Sequence, residues 1–179
     1  MKNTNYDNKV LEGKEYEECE FVNCSFIETT FKKCRFIDCK FKNCRISALK
    51  PVDSTYIEVS FSGSKVEGVD WTKAEIVREL SFENCSLNYS NFNMLKLPKI
   101  KIVNCEAKEV TFSETDLSEA NLEGTDFEKS VFFKTNLSKA SLKNAKNYWI
   151  DIMVNKLTGA SFSLPDAIDL LKPLKIKVN

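Results

Sequence analysis

The sequence predicts a solenoid, a rod of stacked coils built from five-residue units and closed by a short helical cap. Three observations predict it. A large apolar residue returns at every fifth position: Tyr16, Phe21, Phe26, Phe31, Phe36, Phe41 and Ile46. A small residue stands two places before most of them: Cys19, Cys24, Thr29, Cys34, Cys39 and Cys44. Residues twenty apart repeat like on like, as in Phe21, Phe41 and Phe61, in Phe92, Phe112 and Phe132, and in Leu97, Leu117, Leu137 and Leu157. A period of five fits neither an amphipathic helix nor a plain alternating strand, and an internal repeat of fixed period is the signature of a stacked array.

The first frame runs from Leu11 through Tyr16, Phe21 and onward to Tyr56, Phe61, Val66, Trp71 and Ile76. Pro51 occupies one of its large positions and removes a backbone donor, so a local defect is expected there. From Ile76 to Phe82 the spacing is six, which places one extra residue in 77–81. The second frame continues from Phe82 through Leu87 and Phe92 to Leu142. Leu95 and Ile100 stand at small positions near Pro98, where the geometry should be least regular.

The repeat is read as residues 1–145, with residues 146–179 as the terminal cap. In the tail, Ser163 suits an N-cap and Pro165 a helix start. Ala167, Ile168, Leu170 and Leu171 give an apolar face, and Pro173 is a stop. The pattern predicts a short helix over about 164–172, followed by a short strand from Leu174 to Val178. An open solenoid end needs such a cap, because its backbone groups are otherwise unpaired.

The units TDLSE, ANLEG, TDFEK, TNLSK and ASLKN, from Thr115 to Asn144, resemble the pentapeptide-repeat family, whose unit is roughly A-(D/N)-L-x-x. The resemblance implies an all-β fold, a right-handed quadrilateral β-helix with four units per square coil. Coils would then stack at about 4.8 Å, close to seven of them. The tail is similar to those of the Qnr-type quinolone-resistance and microcin-immunity branches. For those branches the resemblance implies a DNA-mimicking rod that binds DNA gyrase or topoisomerase IV and relieves quinolones or a toxin. It also implies a two-fold dimer through the C-terminal end.

Composition narrows the chemistry. Twenty-six basic and 26 acidic residues cancel, so bulk charge names no partner. There is no histidine, the commonest general base and metal ligand, and no glycine-rich phosphate loop. No catalytic constellation emerges, so no enzyme and no cofactor are expected. All seven cysteines fall in the small slot, where they read as packing residues rather than disulfides or zinc ligands. The start MKNTNYDNKV has no apolar core of a signal peptide, and no apolar run is long enough for a bilayer. A cytoplasmic protein without membrane or direct nucleic-acid contact is expected.

Three surface features are candidates for partner binding. Glu106, Glu109, Glu114, Asp116, Glu119, Glu123, Asp126 and Glu128 form an acidic belt opposed only by Lys108. A basic belt, with Lys32, Lys33, Arg35, Lys40, Lys42, Arg45 and Lys50, lies nearer the N-terminus. Solvated faces of ordinary solubility explain both belts equally well. Ile37, Ile57 and Val77 follow inward residues at twenty-residue spacing and would form an outer apolar stripe, with Val131 and Phe133 a second such pair. β-branched residues also simply suit extended backbone. Tyr148, Trp149, Ile150, Ile152 and Met153 would cover the last coil, form a homodimer contact, or do both. The two functional readings are a topoisomerase protector and a protein-interaction scaffold for another partner.

Overall fold

The computed structural model describes Met1–Lys175. It is a right-handed, four-faced parallel β-solenoid of about 8 turns with one short helix. Each face has one inward column. Face I carries Tyr6, Phe26, Ile46, Val66, Leu87, Ala107 and Phe127. Face II carries Leu11, Phe31, Pro51, Trp71, Phe92, Phe112, Phe132 and Ile150. Face III runs Tyr16, Phe36, Tyr56, Val77, Leu97, Leu117, Leu137, Leu157. Face IV runs Phe21, Phe41, Phe61, Phe82, Ile102, Leu122, Leu142, Phe162.

The coil rise forces aromatic rings into parallel stacks along a column. Phe21 and Phe41 lie 4.5 Å apart at 3°, and Phe41 and Phe61 5.0 Å apart at 17°. Between columns the contacts turn edge-on, as in Phe21–Phe26 at 71° and Phe31–Phe36 at 64°. Both arrangements suit the ring quadrupole.

Two kinds of unit occur, strands and turns; an Asn or Asp before the large residue makes the turn, although the units headed by Ser86, Lys96, Glu106 and Thr111 turn without one. Units from Val10–Glu12 to Lys65–Glu67 are mostly three-residue strands. Most later units are turns with a single bridging residue. Wherever Asn or Asp precedes the large residue, its side-chain oxygen accepts from the backbone N–H two places on. Asn121 Oδ1 accepts from Glu123 at 3.1 Å and Asp116 Oδ1 from Ser118 at 3.0 Å. Asn5 does the same in the first coil, 2.7 Å from Asp7 N, and it too heads a turn among strand units. This local bond competes with the sheet ladder and bends the chain. In the turns, the large residue's carbonyl accepts from the third residue on, as Leu117 O from Ala120 N at 3.1 Å.

The second residue after almost every large one is left-handed, for example Asn23 at φ 52° and Glu58 at 55°. On the corner after face IV this slot holds Asn3, Asn23, Asn43, Gly63, Asn84, Asn104, Gly124 and Asn144, the residue types that tolerate it best. Gly63 and Gly124 are also sterically required. A Cβ there would lie 2.6 Å from Asn43 Oδ1 and 2.2 Å from Asn104 Oδ1.

The small slot does more than pack. Its hydroxyl or thiol donates to the carbonyl of the large residue 23 positions earlier: Thr125 to Ile102 at 2.7 Å, Ser64 to Phe41 at 3.2 Å, Cys44 to Phe21 at 3.4 Å. A hydroxyl there also accepts from the N–H twenty positions earlier, as Thr125 Oγ1 does from Cys105 at 3.2 Å. Cysteine, serine and threonine are therefore one functional class in this column, and all seven cysteines are free thiols.

The structure moves three boundaries. The extra residue lies at 71–75, not in 77–81. Lys50 still pairs with Thr30, but Tyr56 pairs with Val77, 21 residues on. The cause is Pro51. By the register of its neighbours its missing N–H would have met Asp70 O. That carbonyl instead accepts from Lys73 N at 3.3 Å in a 3-10 turn over Trp71–Lys73. Trp71 then fills the space over the small proline, and Pro51 is the expected defect, since residues 50–54 carry no three-residue strand.

The solenoid also runs past residue 145. Asn155 takes a small slot, accepting from Thr135 N at 2.9 Å and donating to Phe132 O at 3.0 Å. Ser161–Phe162 pairs with Ser141–Leu142. The coil is shortened by two residues at one corner, because Ile150 pairs with Phe132.

The terminal helix is a 3-10 helix, Asp166–Leu174, with Pro173 inside it. Ser163 does not cap it by its side chain. That hydroxyl accepts from Asn144 N at 3.1 Å. Leu174 belongs to the helix, and most of the expected final strand lies outside the described residues.

Candidate partner-binding surfaces

The acidic belt is one coil deep and unequal in its parts. Glu106, Glu109, Glu114, Glu119 and Glu128 are exposed, whereas Asp116, Glu123 and Asp126 are half-buried. The two aspartates head Asx turns, and Glu123 accepts from Ser141 Oγ at 2.7 Å. These three build the coil as much as they decorate it.

The belt is also neutralised from above. Lys129, Lys134, Lys139, Lys143 and Lys146 stand one coil beyond Glu109, Glu114, Glu119, Glu123 and Asp126. Lys129 Nζ is 3.9 Å from Glu109, and Lys108 lies 3.7 Å from Asp126 and 3.6 Å from Glu128. Asp126, then Glu106, hold the Lys108 ammonium above its ordinary range. In the basic belt, Lys32 and Lys42 are paired with Glu12 and Glu20 at 2.9 and 2.6 Å.

The apolar stripe is shorter than the spacing predicts. Ile37 and Ile57 stack on the outside of face III. Val77 does not join them. The extra residue at 71–75 turns it inward onto Tyr56, and Arg78 follows Ile57 on the surface. The terminal cluster divides as well. Tyr148 and Ile150 are core residues, Ile152 is half-buried, and Trp149 and Met153 are 60% and 72% exposed. Tyr148 and Ile150 are buried because the shortened corner puts them into a small and a large slot.

One surface escaped the sequence reading and another was read only in part. Glu18, Asp38, Glu58 and Glu79 occupy the left-handed slot on the corner after face III, in four successive coils. All are exposed and none joins an ion pair among the described residues. They form an acidic ridge along the rod axis. A simple count of twenty links Glu18, Asp38 and Glu58 and misses only Glu79, which the extra residue displaces. The second surface extends the Val131–Phe133 pair that the sequence singled out: it is face II of the C-terminal half, poor in charge between its corners and edged by exposed Tyr89 and Met94. The signal there was an aromatic and a thioether in left-handed slots.

Among the described residues no group of three or more His, Cys, Asp or Glu is placed to hold a metal ion. Burial pushes the Cys44 thiol up to about 11 and also raises Cys39. No described helix is long and apolar enough to cross a membrane.

Two family models match, a pentapeptide repeat region over residues 14–92 and pentapeptide repeats in eight copies over 112–146. No curated protein matches significantly. Among solved structures the chain is similar to trypsin-treated QnrB1, a plasmid-mediated fluoroquinolone resistance protein. One such structure gives a TM-score of 0.71 at 21% identity, covering 100% of this chain and 91% of that one. A second gives 0.69 at 20% identity, with 98% and 100% covered. Full-length QnrB1 gives 0.50 at 17%, with 96% and 100% covered. With period, column register and family models in agreement over more than half its length, this chain belongs to the pentapeptide-repeat family.

Proposed function

We propose that this chain is a non-enzymatic rod that binds DNA gyrase or topoisomerase IV in the cytoplasm, in place of duplex DNA, and so relieves a quinolone or a toxin. The observation that carries the reading is the acidic ridge. A carboxylate at each coil places one negative charge about every 4.8 Å along a straight edge, against one per 3.4 Å along a single DNA strand. The likeness of the whole chain to a fluoroquinolone resistance protein supports the same reading. The acidic belt is the weaker mimic, being one coil deep between lysines.

The test is gyrase supercoiling, with and without a fluoroquinolone, in the presence of this protein. Protection by the wild type, weakened by higher salt and by Glu58→Lys, is the expected result. Failure to bind either enzyme at low salt sinks the reading. A second reading, a scaffold for another protein, draws on the recess where Ile57 and Ile76 lie among Lys33, Arg35, Asp53 and Glu75. Binding there would survive loss of the ridge.

A further inference from the structure

We propose that face II of the C-terminal half binds a second copy of this chain, side by side and antiparallel, about a two-fold axis crossing the face between the Phe112 and Phe132 coils. This contact is separate from the topoisomerase reading and lies on the flank of the rod rather than its end.

The corners of the face carry its charges. On the edge toward face I, Glu109 is followed one coil later by Lys129. On the opposite edge, Glu114 is followed by Lys134. An axis lying in the face, across the rod and between those coils, keeps each edge on itself and exchanges the two coils. Glu109 then opposes the second copy's Lys129, and Glu114 its Lys134, and each contact occurs twice. The parallel alternative, with the axis along the rod, sets Glu109 against Glu114 and Lys129 against Lys134, which is repulsive at every corner. Electrostatics therefore selects one orientation. Glu114 and Lys134 are exposed and join no ion pair among the described residues, so both remain available.

The uncharged residues obey the same symmetry. The exchange that swaps the Phe112 and Phe132 coils also swaps the Phe92 coil with the last one. Tyr89 and Met94, 64% and 72% exposed, then meet the coil of Trp149 and Met153, 60% and 72% exposed. At the centre, Thr111 and Ser113 meet Val131 and Phe133, which are nearly half exposed. Trp149 reaches this face because Ile150 stacks on Phe132 at the shortened corner. Large apolar side chains at both ends of a neutral centre, with charges at the rim, are the anatomy of a protein interface.

The test is mass by sedimentation or light scattering on the whole chain. The wild type should be a concentration-dependent dimer. Glu114→Lys alone and Lys134→Glu alone should each raise the dissociation constant about tenfold or more. Mixing those two variants should restore a dimer of one copy of each, since each lysine then faces a glutamate on both sides of the axis. The double variant E114K/K134E should dimerise by itself. Tyr89→Ala should weaken association although it lies three coils from the last. A monomer at all concentrations overturns the proposal. So does a dimer indifferent to these changes, which would place the contact at the rod's end. Circular dichroism on each variant separates lost association from lost folding.

Discussion

Replacing Thr125 by valine tests whether the small column bonds or merely packs. The change keeps the shape of the side chain and removes its hydroxyl. Thr125 is fully buried, and so are the two groups it serves, Ile102 O at 2.7 Å and Cys105 N at 3.2 Å. The Ile102 unit is a strand, without the turn bond that later units offer their inward carbonyl. Each hydrogen bond contributes about 0.5–1.5 kcal/mol net, and a buried group left unpaired costs about 1–3 kcal/mol. With two such groups, valine should destabilise by about 2–4 kcal/mol. Urea unfolding followed by circular dichroism measures it, with Thr125→Ser as the control that keeps the hydroxyl. A loss below about 0.5 kcal/mol would mean that packing alone decides the slot.

Phe41 lies between Phe21 and Phe61 in the face IV stack, so Phe41→Ala should cost about 3–5 kcal/mol in the same assay. A loss under about 1 kcal/mol would show that this column is not the core. The thiol of Cys44 titrates near 11 in the fold against 9.0 unfolded, chiefly through burial. Above pH 9 the unfolded chain therefore binds fewer protons than the native one. Stability should be fully present below pH 9 and fall as pH rises toward 11, and Cys44→Ser should blunt that fall. A stability profile identical in the serine variant would contradict the assignment.

Period five was legible because large side chains are conspicuous at fixed spacing, and it led directly to the four columns. The Pro51 defect was legible too, since proline cannot donate. Its consequence was not. The extra residue follows from a carbonyl one coil away, Asp70 O, finding its donor at Lys73. Counting from the sequence put that residue at the first broken spacing, which carried Val77 to the wrong side. The tail was misread for a similar reason. A coil two residues short at one corner breaks the count at Asn147, although Asn155, Leu157 and Phe162 resume it. Of the two roles the sequence allowed Tyr148 and Ile150, cover of the last coil and dimer contact, the structure gives them a place in the core. The surfaces depend on these same shifts, so Glu79 joins Glu18, Asp38 and Glu58 in the ridge only once the register is known.

That ridge carries the most informative single change. Elsewhere on the rod many columns alternate in sign, as Glu109 with Lys129 and Glu119 with Lys139, although Arg45 stacks on Lys65 and Glu106 on Asp126. Alternation is what stability favours, because column neighbours sit about 4.8 Å apart and like charges at that spacing repel. Even the ridge's own corner turns to alternation beyond Glu79, running Lys99, Glu119, Lys139. Four like charges in a row run against that preference, which fits a surface kept for a partner rather than for stability. Glu58→Lys separates the two demands. It converts repulsion with Asp38 and Glu79 into attraction, and exposed pairs of this kind contribute about 0.2–1 kcal/mol each. The variant should unfold at slightly higher urea than the wild type while losing topoisomerase protection. Glu128→Lys, on face I and away from the ridge, should leave protection nearly intact. A Glu58→Lys variant that protects as well as the wild type would mean that the ridge is only solvated charge, and the proposed mimicry would fail with it.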